Sequence, residues 1–483
     1  MAVAEEPSVT PEHDTGVCID ACPEPDEDCP MSTNRGMALI AFLQAQNCSN
    51  YVGSWRAEAS KEDFLTAEYF ARIARTLEDG RFDMAFFDDR LAMPDIYGGN
   101  HELAVRHGIR SVKMDPTVVL MAMAAATRHL GLGATYSTTY YEPFHVARHF
   151  ATLDLMTGGR VAWNIVTSLN DSEAANFGRV AHLEHDERYD RADEFVDVVT
   201  RMWGTWEPDA LKVDKKTGEF ADPAKVHRLD HDGRFFSTHG TFPVPRSPQG
   251  QPVLLQAGMS GRGMSFAGRW ADVIFTAFKD KAAGTASYRA LRQAVEDAGR
   301  DPDTVVVAPA VSVITAETPE LAAEKHRRLS GLARTEDGLA LLCEVLNTDF
   351  SGRPLDEPFT DAELAGMSWQ SLRDRVVAAS GKTNPSVRDF VECSGRGRLS
   401  EMPSIVGSPE QVADTLEDWF GTCCDGFVLS AASIPATYDD FSRLVVPELQ
   451  RRGLVRREYE GKTLRDNLGM TVPEPARGLP VTA

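Results

Sequence analysis

Short apolar runs alternate with amphipathic stretches along the chain from residue 37 onward. Between the apolar runs, hydrophobic residues recur at helical spacing, as in Ala67 to Glu78, where Tyr69, Ile73 and Leu77 share one face. We predict eight strands, near residues 37, 82, 132, 161, 252, 273, 305 and 426. Strands that alternate with helices are typical of parallel β/α units. The pattern therefore predicts the α/β class and a (β/α)8 TIM barrel. An open, doubly wound sheet is the alternative, although it would fit fewer strands.

Two segments interrupt this rhythm and are predicted to be insertions in the barrel. Residues 205–250 are rich in Gly, Pro and Asp, with short strands expected around Val226 to Leu229 and Arg234 to Phe236. Residues 318–405 read as largely helical and polar. We assign residues 36–468 to the barrel and 469–483 to a C-terminal tail. Residues 1–35 are predicted to be a disordered acidic tail, since the first 30 contain nine Asp or Glu and no Lys or Arg.

Composition narrows the classes of function. The formal net charge of -22 argues against nucleic acid as a partner, because there is no basic excess to neutralise phosphates. No apolar run is long enough to span a membrane, and the N-terminus does not resemble a signal peptide, so we expect a cytoplasmic protein. Three of the eight cysteines, Cys18, Cys22 and Cys29, lack a fourth ligand, and we predict no metal site.

In a TIM barrel, ligand-binding groups lie at the carboxyl ends of the strands and in the loops that follow. By this rule the candidates are Asp89 after the second strand, Thr135 in the third, Asn164 in the fourth and the segment Gln256 to Gly263 after the fifth.

The glycine-rich segment Gly258 to Gly263 is a candidate anion site. Glycines allow the backbone to approach a phosphate, Ser260 can donate a hydrogen bond, and a helix predicted from Ser265 would point its N-terminus at the site. The alternative is an ordinary glycine-rich turn. His185 and Tyr189 share a helix face and could reach the same ligand, or could simply lie on the surface. Walker, Rossmann, His-Glu-x-x-His and Gly-x-Ser-x-Gly motifs are absent.

Several long motifs in order resemble the nitrilotriacetate/dibenzothiophene-sulfone monooxygenase family, which belongs to the bacterial-luciferase-like, two-component FMNH2-dependent monooxygenases. The resemblance extends from about Met37 to Leu468 and rests on five segments: Gly158 to Gly178, Glu184 to Phe195, Pro245 to Gly258, Val446 to Gly453 and Tyr459 to Asp466.

This resemblance implies a luciferase-like barrel that takes FMN as FMNH2 from a separate NAD(P)H:FMN oxidoreductase. It also implies that O2 is the co-substrate and that one oxygen atom enters a poorly reactive organic compound. The FMN contacts it implies are Asp89, Thr135, Asn164, His185, Tyr189 and Ser260, with Asn164 near the flavin ring and Tyr189 and Ser260 at the phosphate. Asn164 and His185 are the implied catalytic residues. Relatives suggest a homodimer or homotetramer.

One departure concerns the loop after the first strand, where several relatives have His residues and this chain has none. Either Asn47, Cys48 or Ser49 substitutes for them, or the substrate differs; we place these three residues in the substrate pocket with Phe42 and Met93. The pocket candidates are mostly apolar, and only Arg56 and Arg90 nearby could bind carboxylates. We therefore expect an apolar aromatic substrate, halogenated or sulfur-containing.

Three alternatives remain open. The first is an aminopolycarboxylate monooxygenase of the nitrilotriacetate type. The second keeps the barrel but uses the deazaflavin F420, and the third is a non-catalytic flavin-binding barrel.

Overall fold

The strands of this chain pair into one parallel barrel and two small hairpins. The structure is a computed structural model that describes residues 36–168, 170–180, 184–258, 261–367 and 370–475, apart from the side chains of His185 and Ser371. The strands are β1 Ala38–Gln44, β2 Met84–Asp88, β3 Gly131–Ser137, β4 Val161–Val166, β5 Leu211–Asp214, β6 Glu219–Ala221, β7 Arg228–Asp232, β8 Ser237–Thr241, β9 Val253–Gln256, β10 Val273–Thr276, β11 Val306–Thr315, β12 Ser404–Gly407 and β13 Gly426–Ser430.

Helices connect the barrel strands and cover the outside of the sheet. They are α1 Ala67–Asp79, α2 Glu102–His107, α3 Pro116–Ala126, α4 Pro143–Met156, α5 Asp171–Asn176, α6 His185–Trp203, α7 Gly261–Trp270, α8 Lys281–Asp297, α9 Pro319–Ser330, α10 Thr335–Leu346, α11 Asp361–Ala365, α12 Gln370–Ser380, α13 Val387–Ser394, α14 Pro409–Trp419, α15 Ala436–Asp440, α16 Val446–Arg451 and α17 Leu464–Asn467. A π-helical turn, Phe441–Val445, joins α15 to α16.

The barrel is closed by pairing in the order β1, β2, β3, β4, β9, β10, β11, β13 and back to β1, with every pair parallel. The prediction of a (β/α)8 barrel is confirmed, and the open sheet is wrong because an open sheet would leave two unpaired edges. A further short strand, β12, pairs with the end of β11 and was not predicted.

Each barrel strand is buried on both faces, which explains its nearly continuous apolar sequence. In β1, Leu39, Ala41 and Leu43 pack against the helices, whereas Ile40 and Phe42 point into the barrel. The same alternation runs around the barrel and separates the outer core from the inner one.

The amino ends of the strands are sealed by the C-terminal part of the chain. Leu464, Leu468 and Met470 are buried against Ala38 and other residues at the starts of the strands. Gly131 leaves room for this seal, since a Cβ there would lie 2.5 Å from Leu464 Cδ1. The opposite, carboxyl end is therefore the end from which a ligand enters.

The two interrupting segments have different structures. Residues 205–250 form the hairpins β5–β6 and β7–β8. The strand predicted at Arg234 to Phe236 is wrong: Gly233 N–H donates to the carbonyl of Phe236, so these residues form the turn before β8. Between β11 and β12 lie the helices α9 to α13, and α10 to α13 share their own apolar core.

Residues 1–35, which include the predicted acidic tail and Cys18, Cys22 and Cys29, lie outside the described residues. Across the described ranges, the structure contains no helix that is both long and apolar enough to span a membrane.

Candidate active site

Three aromatic rings form the apolar floor of the open end of the barrel. Phe42 meets Phe86 edge-on at 5.5 Å between ring centroids, and both lie 6.0 Å from Phe275. Phe42 was predicted in the substrate pocket, and it is almost fully buried in this floor. A flat, apolar part of a ligand would rest above these rings.

A polar layer lies directly above the floor. Gln44 and Asp88 are register partners two residues beyond Phe42 and Phe86. Thr135 and Asn164 are register partners on β3 and β4. The inner face of the barrel thus changes from apolar to polar near the carboxyl ends of four adjacent strands.

Thr135 and Asn164 form a hydrogen-bonded pair whose polarity is set by the backbone. The Thr135 hydroxyl donates to the carbonyl of Phe87 at 2.8 Å, so it accepts from Asn164 Nδ2, also at 2.8 Å. This orients the amide and leaves Asn164 Oδ1 buried with no hydrogen-bond partner in the described part of the chain. An unpaired buried acceptor of this kind fits a ligand N–H.

Asp88 lies on the neighbouring side of the polar layer, where its carboxylate accepts two hydrogen bonds. Its Oδ1 accepts from Lys113 Nζ at 3.1 Å and its Oδ2 from Gln44 Nε2 at 3.0 Å. Burial lowers the pKa of Lys113, opposed by the charge of Asp88. Neither Lys113 nor Gln44 was predicted. Lys113 lies 25 residues after Asp88 in the sequence. Gln44 is the last residue of β1 and could have been found from that position.

Asp89, the predicted flavin contact after β2, is partly buried next to this pair. Burial raises its pKa to about 7, against the lowering effect of Lys113. The side chain therefore exchanges its proton near neutral pH and can either donate or accept a hydrogen bond.

The three predicted residues in the loop after β1 differ in their exposure and in their contacts. Asn47 is partly exposed, while Cys48 is buried and its pKa rises to about 12 because of that burial. A thiol with this pKa is not a nucleophile at neutral pH. Ser49 donates its hydroxyl to the carbonyl of Ala431 at 2.5 Å, which ties the loop to the end of β13. Met93, on the loop after β2, is 36% exposed.

Tyr189 lies on α6 near the start of α7, across the barrel from β1. Its ring packs edge-on against Phe266 at 5.5 Å and lies 5.8 Å from the Arg262 guanidinium. Arg262 is fixed by Asp190 and Asp193, at 3.1 and 2.6 Å. The glycine-rich sequence did not single out this arginine as part of the site.

The predicted residues Ser260 and the His185 side chain lie outside the described residues. α7 begins at Gly261, four residues before the predicted start, so Arg262 and Gly263 are in its first turn. The start of this helix still faces the region of Tyr189, since α6 and α7 pack together.

The helix α10, from the second interrupting segment, lies against the loops that follow β2 and β4 at the carboxyl end of the barrel, and we refer to it as the roof. Glu344 Oε1 accepts from the backbone N–H groups of Asp95 and Ile96, at 2.9 and 3.0 Å. Its Oε2 accepts from the hydroxyl of Ser172, at 3.2 Å. One carboxylate therefore links the loops after β2 and β4, a role that no sequence motif indicated.

The basic residues near the mouth are not equivalent. Arg56 forms an ion pair with Asp337 at 2.7 Å and is thereby occupied within the protein. Arg90 forms no such pair among the described residues and remains available at the cavity.

These residues fit a flavin. Asn164 Oδ1 and Asp89 provide an acceptor and a titratable group at the polar layer, where an isoalloxazine ring would present N–H and carbonyl groups. Tyr189 and the start of α7 lie on one side, where backbone N–H groups favour a phosphate.

The chain is similar to known proteins over most of its length. Residues 42–425 match the family described as luciferase-like monooxygenase. The chain is 45% identical over 448 residues to dibenzothiophene-sulfone monooxygenase of Rhodococcus erythropolis, covering 92% of this chain and 99% of that protein. It is 37% identical to nitrilotriacetate monooxygenase component A of Aminobacter aminovorans, covering 92% and 98%.

A solved structure of a riboflavin lyase with modified FMN and riboflavin superposes with a TM-score of 0.83 at 32% identity, covering 91% of this chain and 97% of that one. Match length, identity and fold thus point to one assignment, and the resemblance noted from the sequence is confirmed. The chain belongs to the luciferase-like monooxygenase family.

Proposed function

We propose that this monooxygenase uses FMNH2, delivered by a separate NAD(P)H:FMN oxidoreductase, to oxygenate a small organic compound. The observation that carries the proposal is the buried, unpaired Asn164 Oδ1, which the Thr135 hydroxyl orients at the polar layer. Reduced FMN, when bound, supplies the two electrons with which O2 is split between the substrate and water. Because NAD(P)H feeds the reductase, we place the reaction in the cytoplasm.

The chain's own residues bind and orient the ligands. Asn164 accepts a ring N–H, and Asp89 holds or releases a proton next to the ring. Tyr189 and Ser260 hold the phosphate, and His185 completes that side. The aromatic floor favours an apolar, aromatic substrate, and the roof fixed by Glu344 excludes water from the reacting atoms.

The test is an oxygen-isotope experiment. With a flavin reductase, NADPH and FMN, we expect one 18O atom from 18O2 in the product, using dibenzothiophene sulfone, nitrilotriacetate, dimethyl sulfide and a long-chain alkane as the substrate panel. Anaerobic titration should show binding of FMNH2 and none of reduced F420. Binding of reduced F420 instead of FMNH2 would contradict the proposal.

The role of Asn164 is tested by Asn164→Ala. Loss of one buried hydrogen bond should weaken FMNH2 binding about fivefold to tenfold. Asn384→Ala, which removes an amide bonded to Phe359 and Asp361 in the second interrupting segment, serves as the control and should leave that affinity unchanged. Equal affinities in both variants would remove Asn164 from the flavin site.

A further inference from the structure

Two arginine side chains in the connection after β2, at the carboxyl end of the barrel, lack some of the acceptors that buried guanidinium groups require. Arg90 follows β2, and Arg110 lies further along the same β2–α3 connection. Arg110 is 5% exposed. Burial and, to a smaller extent, the nearby charge of Arg110 together lower the pKa of Arg90 to about 10. Arg90 nevertheless remains protonated at neutral pH.

The hydrogen bonds of this pair are incomplete. Arg90 Nη1 and Arg110 Nε are both buried and have no acceptor among the residues that the structure describes. The one side-chain partner of Arg110 there is Asn50 Oδ1, at 3.3 Å from Nη2. A buried N–H on a cation without an acceptor is costly, so the arrangement favours a ligand that supplies acceptors.

The two acidic groups whose charges act on Arg90, Glu173 and Glu344, accept hydrogen bonds from other groups. Glu173 accepts from the backbone N–H of Leu91, and Glu344 holds the roof as described. The third arginine near the pair, Arg396, is matched by an ion pair with Glu401. The two guanidinium groups therefore lack a carboxylate of the protein that is bonded to either of them in the described ranges.

The pair is adjacent to the reaction cavity. Lys113, which bonds to Asp88 in the polar layer, interacts electrostatically with Arg110. Both of these cations also act on the buried Cys48 in the loop after β1. Arg110 also bonds to Asn50, which places it against the loop after β1.

The position of the pair separates it from the flavin phosphate. The pair follows β2, and in the barrel order β9 is three strands from β2 in one direction and five in the other; α7, which follows β9, provides the phosphate side together with Tyr189. An anion held by Arg90 and Arg110 would therefore belong to the other ligand in the cavity.

We infer that Arg90 and Arg110 bind an anionic group of the organic substrate, a carboxylate or a sulfur oxyanion such as a sulfinate or sulfonate. The inference rests on the proposed function, in which an organic compound and FMNH2 share the cavity. The arginine pair adds a positively charged binding site to the aromatic floor. The substrate that we infer is therefore an acid that carries an apolar ring. Guanidinium groups match both oxyanions by paired N–H···O hydrogen bonds.

A matched pair of probes tests the inference without turnover. Biphenyl-2-carboxylate and its neutral isostere biphenyl-2-carboxamide are titrated into the protein with neither reductant nor FMN present. The carboxylate should bind about tenfold or more tightly than the amide, as expected for charge-assisted hydrogen bonds. Arg110→Gln and Arg90→Gln should each abolish this preference and leave the amide affinity unchanged, while Arg90→Lys should retain part of it.

Arg75→Gln, which removes an exposed arginine on α1 paired with Glu68, is the control and should keep the full preference. FMN and riboflavin are titrated separately into the same variants. Failure of the carboxylate to bind more tightly than the amide, including failure of both to bind, would overturn the inference. Loss of the preference for FMN over riboflavin in Arg110→Gln would also overturn it, because the pair would then hold the flavin phosphate. Since none of these titrations needs oxygen transfer, their failure is distinct from failure of the monooxygenase reaction.

Discussion

At the scale of single residues, the titration of Asp89 makes the free energy of unfolding depend on pH. The pKa of about 7 means that the folded protein disfavours the carboxylate relative to the unfolded chain, where the ordinary value is 3.8. Because the folded pKa is raised, the contribution of Asp89 to stability falls as pH rises from about 4 to about 7 and is constant above.

Asp89→Asn should remove this dependence. The free energy of unfolding of the variant minus that of the wild type should increase by roughly 2–4 kcal/mol as pH rises from 4 to 8, because the wild type loses stability at about 1.4 kcal/mol per pKa unit. Urea unfolding at successive pH values measures the difference. Asp356→Asn is the control: Arg388 lowers the pKa of that exposed carboxyl, so its effect should be flat between pH 5 and 8. A pH-independent difference for Asp89→Asn would show that Asp89 is ionised throughout this range.

At the scale of elements, α10 joins loops that are far apart in sequence. Glu344→Ala removes the acceptor of two backbone N–H groups and of the Ser172 hydroxyl. We expect a loss of about 1–3 kcal/mol in stability and a larger share of reduced flavin wasted as H2O2, because water enters beneath the roof. The measurement is the ratio of H2O2 to product.

Glu357→Ala is the matched control for this roof. Glu357 lies in the same interrupting segment and its carboxylate is more than half exposed. An H2O2 ratio that rises equally in both variants would mean that the segment as a whole, and not the Glu344 contacts, excludes water.

The short helix α17 lies at the opposite end of the barrel from α10, where it seals the amino ends of the strands. Leu464→Ala should cost about 2–5 kcal/mol in free energy of unfolding by leaving a cavity under β3. FMNH2 affinity should stay within about twofold of wild type, since the cavity lies at the end remote from the site. Leu321→Ala, at a half-exposed position on α9, is the control for stability. A small loss at Leu464 would show that the barrel end collapses to fill the space.

At the scale of the whole molecule, the proposed flavin site opens at one end of a closed barrel, so that FMNH2 would reach it as a diffusing ligand. We therefore expect the product rate to depend on the supply of free FMNH2 and not on the identity of the reductase. Two unrelated NAD(P)H:FMN oxidoreductases, adjusted to equal FMNH2 supply, should support equal rates. Activity with one reductase only, at equal supply, would indicate direct transfer within a protein complex.

The sequence predicted the elements of the barrel more accurately than the composition of its site. The positions of Asp89, Thr135 and Asn164 in the barrel were predictable because each lies at or next to the carboxyl end of a strand that its own neighbours define, whereas their roles stay predictions. Arg110, Lys113 and Glu344 were not, because they lie in connections whose course depends on contacts with distant segments. Hydrophobic periodicity records burial, and it carries no information about which loops meet.

The sequence by itself favoured the barrel, since an open, doubly wound sheet would fit fewer than the eight apolar runs, although both arrangements bury both faces of each strand. It also determined the family, through long ordered motifs. Only the tertiary structure decided the orientation of the Asn164 amide, the neutral-range pKa of Asp89 and the burial of Arg90 and Arg110 N–H groups without acceptors. These depend on desolvation and on hydrogen-bond partners from several strands and loops, which exist only once the chain has closed.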